Sequence, residues 1–164
     1  WPRLVQIAWI MFDAEGNELE RNDHIVIPEG FSIPKDASKI HGISTERAHA
    51  EGIALTEVLE EFGSQVKQAK TLVAHNISFD EKIMGAEFIR YQDKDPIKRK
   101  AKICTMKETT DFVRLPGRYG FKWPSLSELH VKLFQTDFAE AHNAAADINA
   151  TAKCFWEARR LGVL

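Results

Sequence analysis

Two aspartates and one histidine have the residue types and spacing that hydrolytic chemistry would need. Asp80 closes the segment Leu72-Val73-Ala74-His75-Asn76-Ile77-Ser78-Phe79-Asp80, where an apolar strand runs into a turn and the carboxylate falls in the first turn of the next helix. Asp147 follows His142 by five residues in Ala141-His142-Asn143-Ala144-Ala145-Ala146-Asp147, an Ala-rich stretch that predicts the start of a buried helix. Mg²⁺ and Mn²⁺ prefer carboxylate oxygens, and an imidazole that titrates near neutrality can take a proton from water. The chemistry on offer is metal-assisted hydrolysis, with Asp80 and Asp147 as metal ligands and His142 as general base. Each residue taken alone also has an ordinary reading. An Asp at a helix start is favoured by the helix dipole, and a lone His is more often hydrogen-bonded than catalytic.

Several elements must position these groups. Leu4 to Phe12 and Glu18 to Ile27 read as two strands around the turn Asp13-Ala14-Glu15-Gly16-Asn17. Pro28, Gly30 and Pro34 mark a loop, after which Ser44 or Thr45 caps a short helix through Ala50. Leu55, Val58, Leu59, Phe62 and Val66 form the apolar face of a helix ending near Lys70. Leu72 to Ala74 is a short buried strand, and the helix around Asp80 turns Ile83, Met84 and Phe88 inward. Lys102 to Thr105 suits another strand. Ser125-Leu126-Ser127-Glu128 has capping-box spacing for a helix to about Phe134. A last helix from Ala144 to Arg160 presents Ile148, Ala152 and Phe155 on one side. A hairpin followed by alternating helices and strands predicts an α/β domain with a mixed sheet.

The bulk numbers set limits. A chain of 164 residues with 44% hydrophobic content can build one sizeable core. Its longest strong apolar run, Leu4 to Phe12, falls well short of the roughly 20 residues that cross a bilayer, so no membrane segment is expected. Cys104 and Cys154 lack metal-ligand spacing and suit reduced thiols in a cytoplasmic protein. A net charge of −2 makes no electrostatic glove for nucleic acid. The basic run Lys98-Arg99-Lys100, with Lys94, Lys102 and Arg90 nearby, could meet phosphates or be a solvated loop. Metal ions would neutralise a reacting phosphate in any case.

The His75–Asp80 and His142–Asp147 segments closely resemble the second and third motifs of the DEDDh 3′–5′ exonucleases, the family that includes the proofreading subunit of bacterial replicative polymerases. His41-Gly42-Ile43-Ser44 and Pro2-Arg3-Leu4-Val5-Gln6-Ile7 extend the likeness over essentially the whole chain. The resemblance implies a ribonuclease-H-like exonuclease fold, with a mixed central β-sheet flanked by helices in a single domain over residues 1–164. It also implies a two-metal site for Mg²⁺ or Mn²⁺, and substrate contacts from His41, Asn76 and Phe79. The expected substrate is the 3′ end of single-stranded or frayed DNA, released as nucleoside 5′-monophosphates in proofreading or repair. RNA is an alternative substrate, a polymerase subunit an expected partner, and a non-catalytic binding module a competing function.

In that family an Asp-x-Glu pair on a central first strand precedes the stretch from Arg3 to Ile7. Trp1 opens this chain without a basic start or a cleavage site, so the domain is expected to be N-terminally truncated, with that strand upstream. Asp13-Ala14-Glu15 copies the pair superficially but reads as hairpin-turn chemistry. Thr105, Arg118, Tyr119 and Trp123 are candidates for the site's border, and the aromatic ones equally for packing before the Ser125 helix. His75 reads as structural, and His24, His49 and His130 as surface residues.

Overall fold

The computed structural model describes residues 2–138 and 143–164. The first hairpin pairs β1 (Gln6–Phe12) with β2 (Glu18–Ile25) antiparallel, from Gln6 opposite Ile25 to Phe12 opposite Glu18, with an irregularity between Met11 and Phe12. One carboxylate closes its turn: Asp13 accepts from the backbone N–H of Glu15 at 3.0 Å and of Asn17 at 2.8 Å, and from the Asn17 amide at 2.7 Å. Such side-chain turns are the local specialty of Asp and Asn.

Three helices follow: α1 (Lys35–His41), α2 (Thr45–Glu51) and α3 (Leu55–Gln68). Ser44 caps α2 through its hydroxyl, which accepts from the Arg47 N–H. Between α2 and α3, Gly52 touches the carbonyl of Ala48 and the backbone of Ile25 and Ile27 so closely that any Cβ would collide. The close approach lets Ile53 bridge Val26 in parallel.

The second ladder pairs β3 (Thr71–Ala74) with β4 (Ala101–Cys104) in parallel, and the crossover between them is α4 (Ile77–Gln92). Two short helices, α5 (Thr105–Glu108) and α6 (Thr110–Val113), lead to a small hairpin of β5 (Pro116–Gly117) and β6 (Gly120–Phe121). Helices α7 (Leu126–Phe134) and α8 (Ala144–Arg160) complete the chain. The capping box at Ser125 forms as its spacing predicts, with both reciprocal bonds made.

The main core joins both ladders. Leu4, Val26, the α3 residues Leu55, Val58, Leu59 and Val66, and the α4 residues Ile83, Met84 and Phe88 are buried together, with Ile7 of β1 and Leu72 of β3 packed against them. Full burial of a side chain such as Leu59 or Phe88 stabilises by about 1.5–3 kcal/mol. Side chains alternate along β1. Trp9 faces α3, donating its indole N–H to Gln65 at 2.7 Å, while Phe12 faces α8 and meets Trp156 edge-on at 5.5 Å.

Despite this packing, only Trp9 of β1 is fully buried, and no residue of β3 is. Among the described residues, β1 pairs only with β2 and β3 only with β4. The mixed α/β arrangement is therefore as expected, but its sheet is divided into separate two-stranded ladders.

Other expectations need correction. Segment 35–41 is helix α1 rather than loop. The buried stripe of α8 is Ala150, Thr151, Cys154, Phe155 and Ala158, while Ile148 and Ala152 are half-buried because the helix packs on both β1 and α7. The start of α8 is half-buried. His130 is buried rather than exposed, packed by Phe134 and Phe138 and 2.7 Å from the Thr136 carbonyl, to which its Nδ1–H donates. His24 is half-buried and lies 2.8 Å from Glu61.

Both cysteines are free and buried, and burial pushes the Cys154 thiol up to about 12, so it is inert. Among the described residues no helix is long and apolar enough to cross a membrane.

Candidate active site

One cleft of about 700 Å³ gathers residues from across the sequence. Its walls include Arg3 to Gln6 leading into β1, Phe31 to Pro34 of the following loop, His41 at the end of α1, Phe79 and Ile83 of α4, and Ala144 and Asp147 of α8. Three of the residues expected to act, His41, Phe79 and Asp147, thus share one cavity. Asp80 is next to Phe79 on α4, in the first turn of that helix. His142 lies outside the described residues.

Asp147 gains its place from an N-cap. The Asn143 side chain accepts from the backbone N–H groups of Ala145 at 3.0 Å and Ala146 at 3.2 Å, which fixes where α8 begins. The small residues Ala144 to Ala146 keep bulk away from the carboxylate. Asp147 then sits in the first turn, where the helix dipole favours negative charge.

The junction from β3 to α4 sets Asp80 and its neighbours. Asn76 adopts a left-handed backbone at φ 66°, which Asn tolerates better than most residues. Its side chain makes no capping bond to α4, and the residue is exposed. Two residues of α4 beyond the junction, Phe79 and Asp80, are exposed as well. The protein packed around Asp80 strips water from its carboxyl and pushes it up to about 6. A carboxylate oxygen is the ligand type that a divalent cation prefers, and binding a cation there would release the proton.

His75 ties this junction to two other elements. Its Nε2 lies 3.0 Å from the Pro124 carbonyl, which can only accept, so Nε2 carries the proton. Its Nδ1, 3.0 Å from the Thr105 hydroxyl, then accepts. One ring thereby links the ends of β3 and β4 to the loop before α7. Burial lowers its pKa from the ordinary 6.5. A lowered histidine favours the folded state above pH 6.5, and that contribution is lost as pH falls through 6.5 toward the folded value. His75→Phe should cost about 2 kcal/mol, since it leaves the Pro124 carbonyl without this donor and the Thr105 hydroxyl with only a long bond to the Ala74 carbonyl at 3.5 Å, and it should flatten this part of the pH dependence of urea unfolding. An unchanged profile would mean that His75 is no clamp.

His41 is a second neutral ring, its pKa lowered by burial, with the Ile43 N–H donating to Nδ1 at 3.2 Å. That leaves Nε2–H as its donor toward the cleft.

The Asp-x-Glu lookalike stands apart. Asp13 and Glu15 are turn residues, absent from the cleft walls. Asp13→Ala should loosen the hairpin turn and leave cleavage unchanged; loss of cleavage would move the site to the turn.

Two cations of the basic run make structural contacts. Lys100 donates to the carbonyls of Lys67 and Ala69 at the end of α3, and Lys102 pairs with Glu81 at 3.1 Å. Cations at a helix C-terminus are favoured by the dipole.

The sequence profile of an exonuclease family, RNase_T, matches residues 2–155. The chain belongs to this exonuclease family. Solved structures agree in fold. *Escherichia coli* exonuclease I in complex with a dT13 oligonucleotide superposes with TM-score 0.77 at 21% identity, covering 98% of this chain and 39% of that one. The zinc-bound form of the *E. coli* exonuclease I–single-stranded DNA complex gives 0.77 at 22%, covering 97% and 37%. A moderately thermophilic exonuclease I from *Methylocaldum szegediense* gives 0.74 at 22%, covering 96% and 37%. No curated protein matches the chain.

These likenesses carry the fold, that of ribonuclease-H-like exonucleases. This exonuclease chain spans 37 to 39% of the length of those structures. Among the described residues no three acidic, histidine or cysteine side chains come together as a metal cage. Sequence reasoning missed Arg3 and Phe31 as cleft residues, whose guanidinium lies 4.9 Å over the ring. No motif announces that pair, because it forms only when the loop folds back on the first strand.

Proposed function

We propose that this exonuclease removes nucleotides from the 3′ end of single-stranded or frayed DNA, releasing nucleoside 5′-monophosphates, with Mg²⁺ or Mn²⁺ as cofactor. The observation that carries the reading is the convergence of His41, Phe79 and Asp147 on one cleft, with Asp80 beside Phe79. Asp80 and Asp147 are the metal ligands in this reading, and the bound ions supply neutralisation of the phosphate. His142 takes the proton from the attacking water. His41 and Asn76 bond the terminal sugar or phosphate, and Phe79 packs on the terminal base.

Proofreading or repair is the setting in this reading, with a polymerase subunit as partner and the cytoplasm as compartment. The remaining ligands are assigned to an Asp-x-Glu strand beside β1 and β3. The half-burial of both strands supports that assignment, since a central strand would cover them.

The lack of a three-ligand cage among the described residues favours one second reading, a binding module that grips a 3′ end without cutting. The deciding assay uses a 5′-labelled single strand with Mn²⁺ and an EDTA control, for this chain and for a form extended upstream. A ladder shortening from the 3′ end, lost in EDTA, is expected at least from the extended form. No ladder from either would leave the binding module. Matched DNA and RNA strands in the same assay separate DNA from RNA trimming.

A further inference from the structure

The hairpin between α6 and α7 carries a feature that the cleft does not use. Tyr119, Phe121 and Trp123 are 89%, 49% and 59% exposed, although apolar rings this large are usually covered. Tyr119 stands in the turn between β5 and β6, Phe121 in β6 and Trp123 two residues beyond it, so all three belong to one short hairpin segment. Each ring has its own cation. Arg118 lies 5.1 Å from the centre of Tyr119, Arg114 6.0 Å from Phe121, and Lys107 5.4 Å from Trp123.

Glu128 is engaged by Lys122 at 2.6 Å and by the capping box, and it is the backbone carbonyl of Asp111, rather than its carboxylate, that accepts from Arg114. The hairpin is also joined to the β3–α4 junction, because His75, one residue before Asn76, donates to the carbonyl of Pro124, the residue after Trp123.

Rings paired with cations match what a single strand presents, bases with π-faces alternating with phosphates. We propose that this hairpin is a stacking platform for single-stranded DNA, holding the nucleotides on the 5′ side of the 3′ end bound in the cleft. This rests on the proposed function for its 3′ end, but the binding surface is its own. A folded-protein partner would want the rings packed into a pocket, whereas a strand can thread between a ring and its cation.

The test combines binding with cleavage, using the full chain and thymidine strands from a dinucleotide to roughly twelve nucleotides. Tyr119→Ala and Trp123→Ala should each raise the Kd and KM for the longest strand about tenfold, with kcat within about twofold. The penalty should shrink as the strand shortens. Tyr119→Phe, which keeps the ring, should restore binding, and Lys98→Ala, a cation outside the hairpin, should match the wild type. Tryptophan fluorescence should be quenched by the long strand and lose most of that quenching in Trp123→Phe.

Equal penalties at every length, or wild-type affinity in both alanine variants, would overturn the platform. If neither the wild type nor its upstream-extended form cuts any strand, the exonuclease reading fails. The length-dependent binding loss still decides the hairpin. Because Tyr119 and Trp123 are exposed, their variants keep the fold.

Discussion

Asp147→Asn should leave the exonuclease folded and reduce 3′–5′ cleavage by roughly a thousandfold or more, as expected when a group that stabilises transition-state charge is removed. Asparagine keeps the size of the side chain and its place after the Asn143 cap. Loss of the favourable charge in the first turn of α8 costs about 0.3–1 kcal/mol. Stability and activity are thus expected to separate, as they should for a residue whose role is chemical.

Asp80→Asn should separate them further. The Asp80 carboxyl is pushed up to about 6 from an ordinary 3.8, so in the metal-free protein the folded state holds the proton more tightly than the unfolded state does. Stability therefore falls as pH rises from 3.8 through about 6, and the deficit is complete above that. The shift corresponds to at most about 3 kcal/mol. Because the residue is exposed, screening trims this to about 1 kcal/mol.

In EDTA at pH 8, Asp80→Asn should accordingly be about 1 kcal/mol more stable than the wild type, with no advantage near pH 3. Its cleavage should be lost with Mn²⁺ present. Urea unfolding at the two pH values, beside the strand assay, checks both. Full activity in either Asp variant would remove the metal-ligand assignment.

How much of this was legible in the sequence depends on where the determinants lie. Asp80 in the first turn of α4 could be read because strand, turn and helix are adjacent in the chain, and each leaves a local mark. The Ser125 capping box and the Asp13 turn are local in the same way. Helix α1 left no such mark. It has no buried residue and no side-chain cap, and it follows Pro34 directly, so its periodicity carries no apolar stripe. The inward face of α8 was misread for the opposite reason: the helix touches two neighbours, and a single-stripe reading cannot serve both.

His130 gave no spacing cue, since its burial depends on Phe138 folding back beyond the end of α7. The cleft is the clearest case. Asp147 and Phe79 each stand in a readable motif, but the wall opposite them, from Arg3 to Gln6, is placed by a contact between residues 84 positions apart.

That contact makes Glu87 the second large effect. Its side chain is fully buried, accepting from Arg3 Nε at 2.8 Å and from the Leu4 N–H at 3.1 Å. Its other oxygen lies 3.3 Å from Arg90, but the alignment makes no hydrogen bond, so that attraction is Coulombic alone. Breaking a buried ion pair commonly costs 3–5 kcal/mol, because a charge is left in a dry interior. Here the surviving charges have an outlet, since the Arg3 and Arg90 side chains are 34% and 43% exposed and can turn to water.

The cost of Glu87→Ala then falls on the orphaned N–H of the buried Leu4, at about 1–3 kcal/mol, and on the cavity left by the side chain. The total should be about 3 kcal/mol. Glu87→Gln, which keeps an acceptor for Leu4, should lose only about 1 kcal/mol, whereas Arg3→Ala, which leaves the buried Glu87 charge with the Leu4 N–H and the attraction of Arg90, should cost about 3 kcal/mol.

The functional consequence follows from where the anchor acts. Freeing Leu4 loosens the cleft wall formed by Arg3 to Gln6, so Glu87→Ala should raise KM for the 3′ end more than it lowers kcat. Hydrogen exchange at the Leu4 amide reports the same event directly and should speed up in Glu87→Ala but not in Arg3→Ala. Equal exchange in both variants would mean that the wall is held by the packing of Leu4 in the core rather than by the carboxylate.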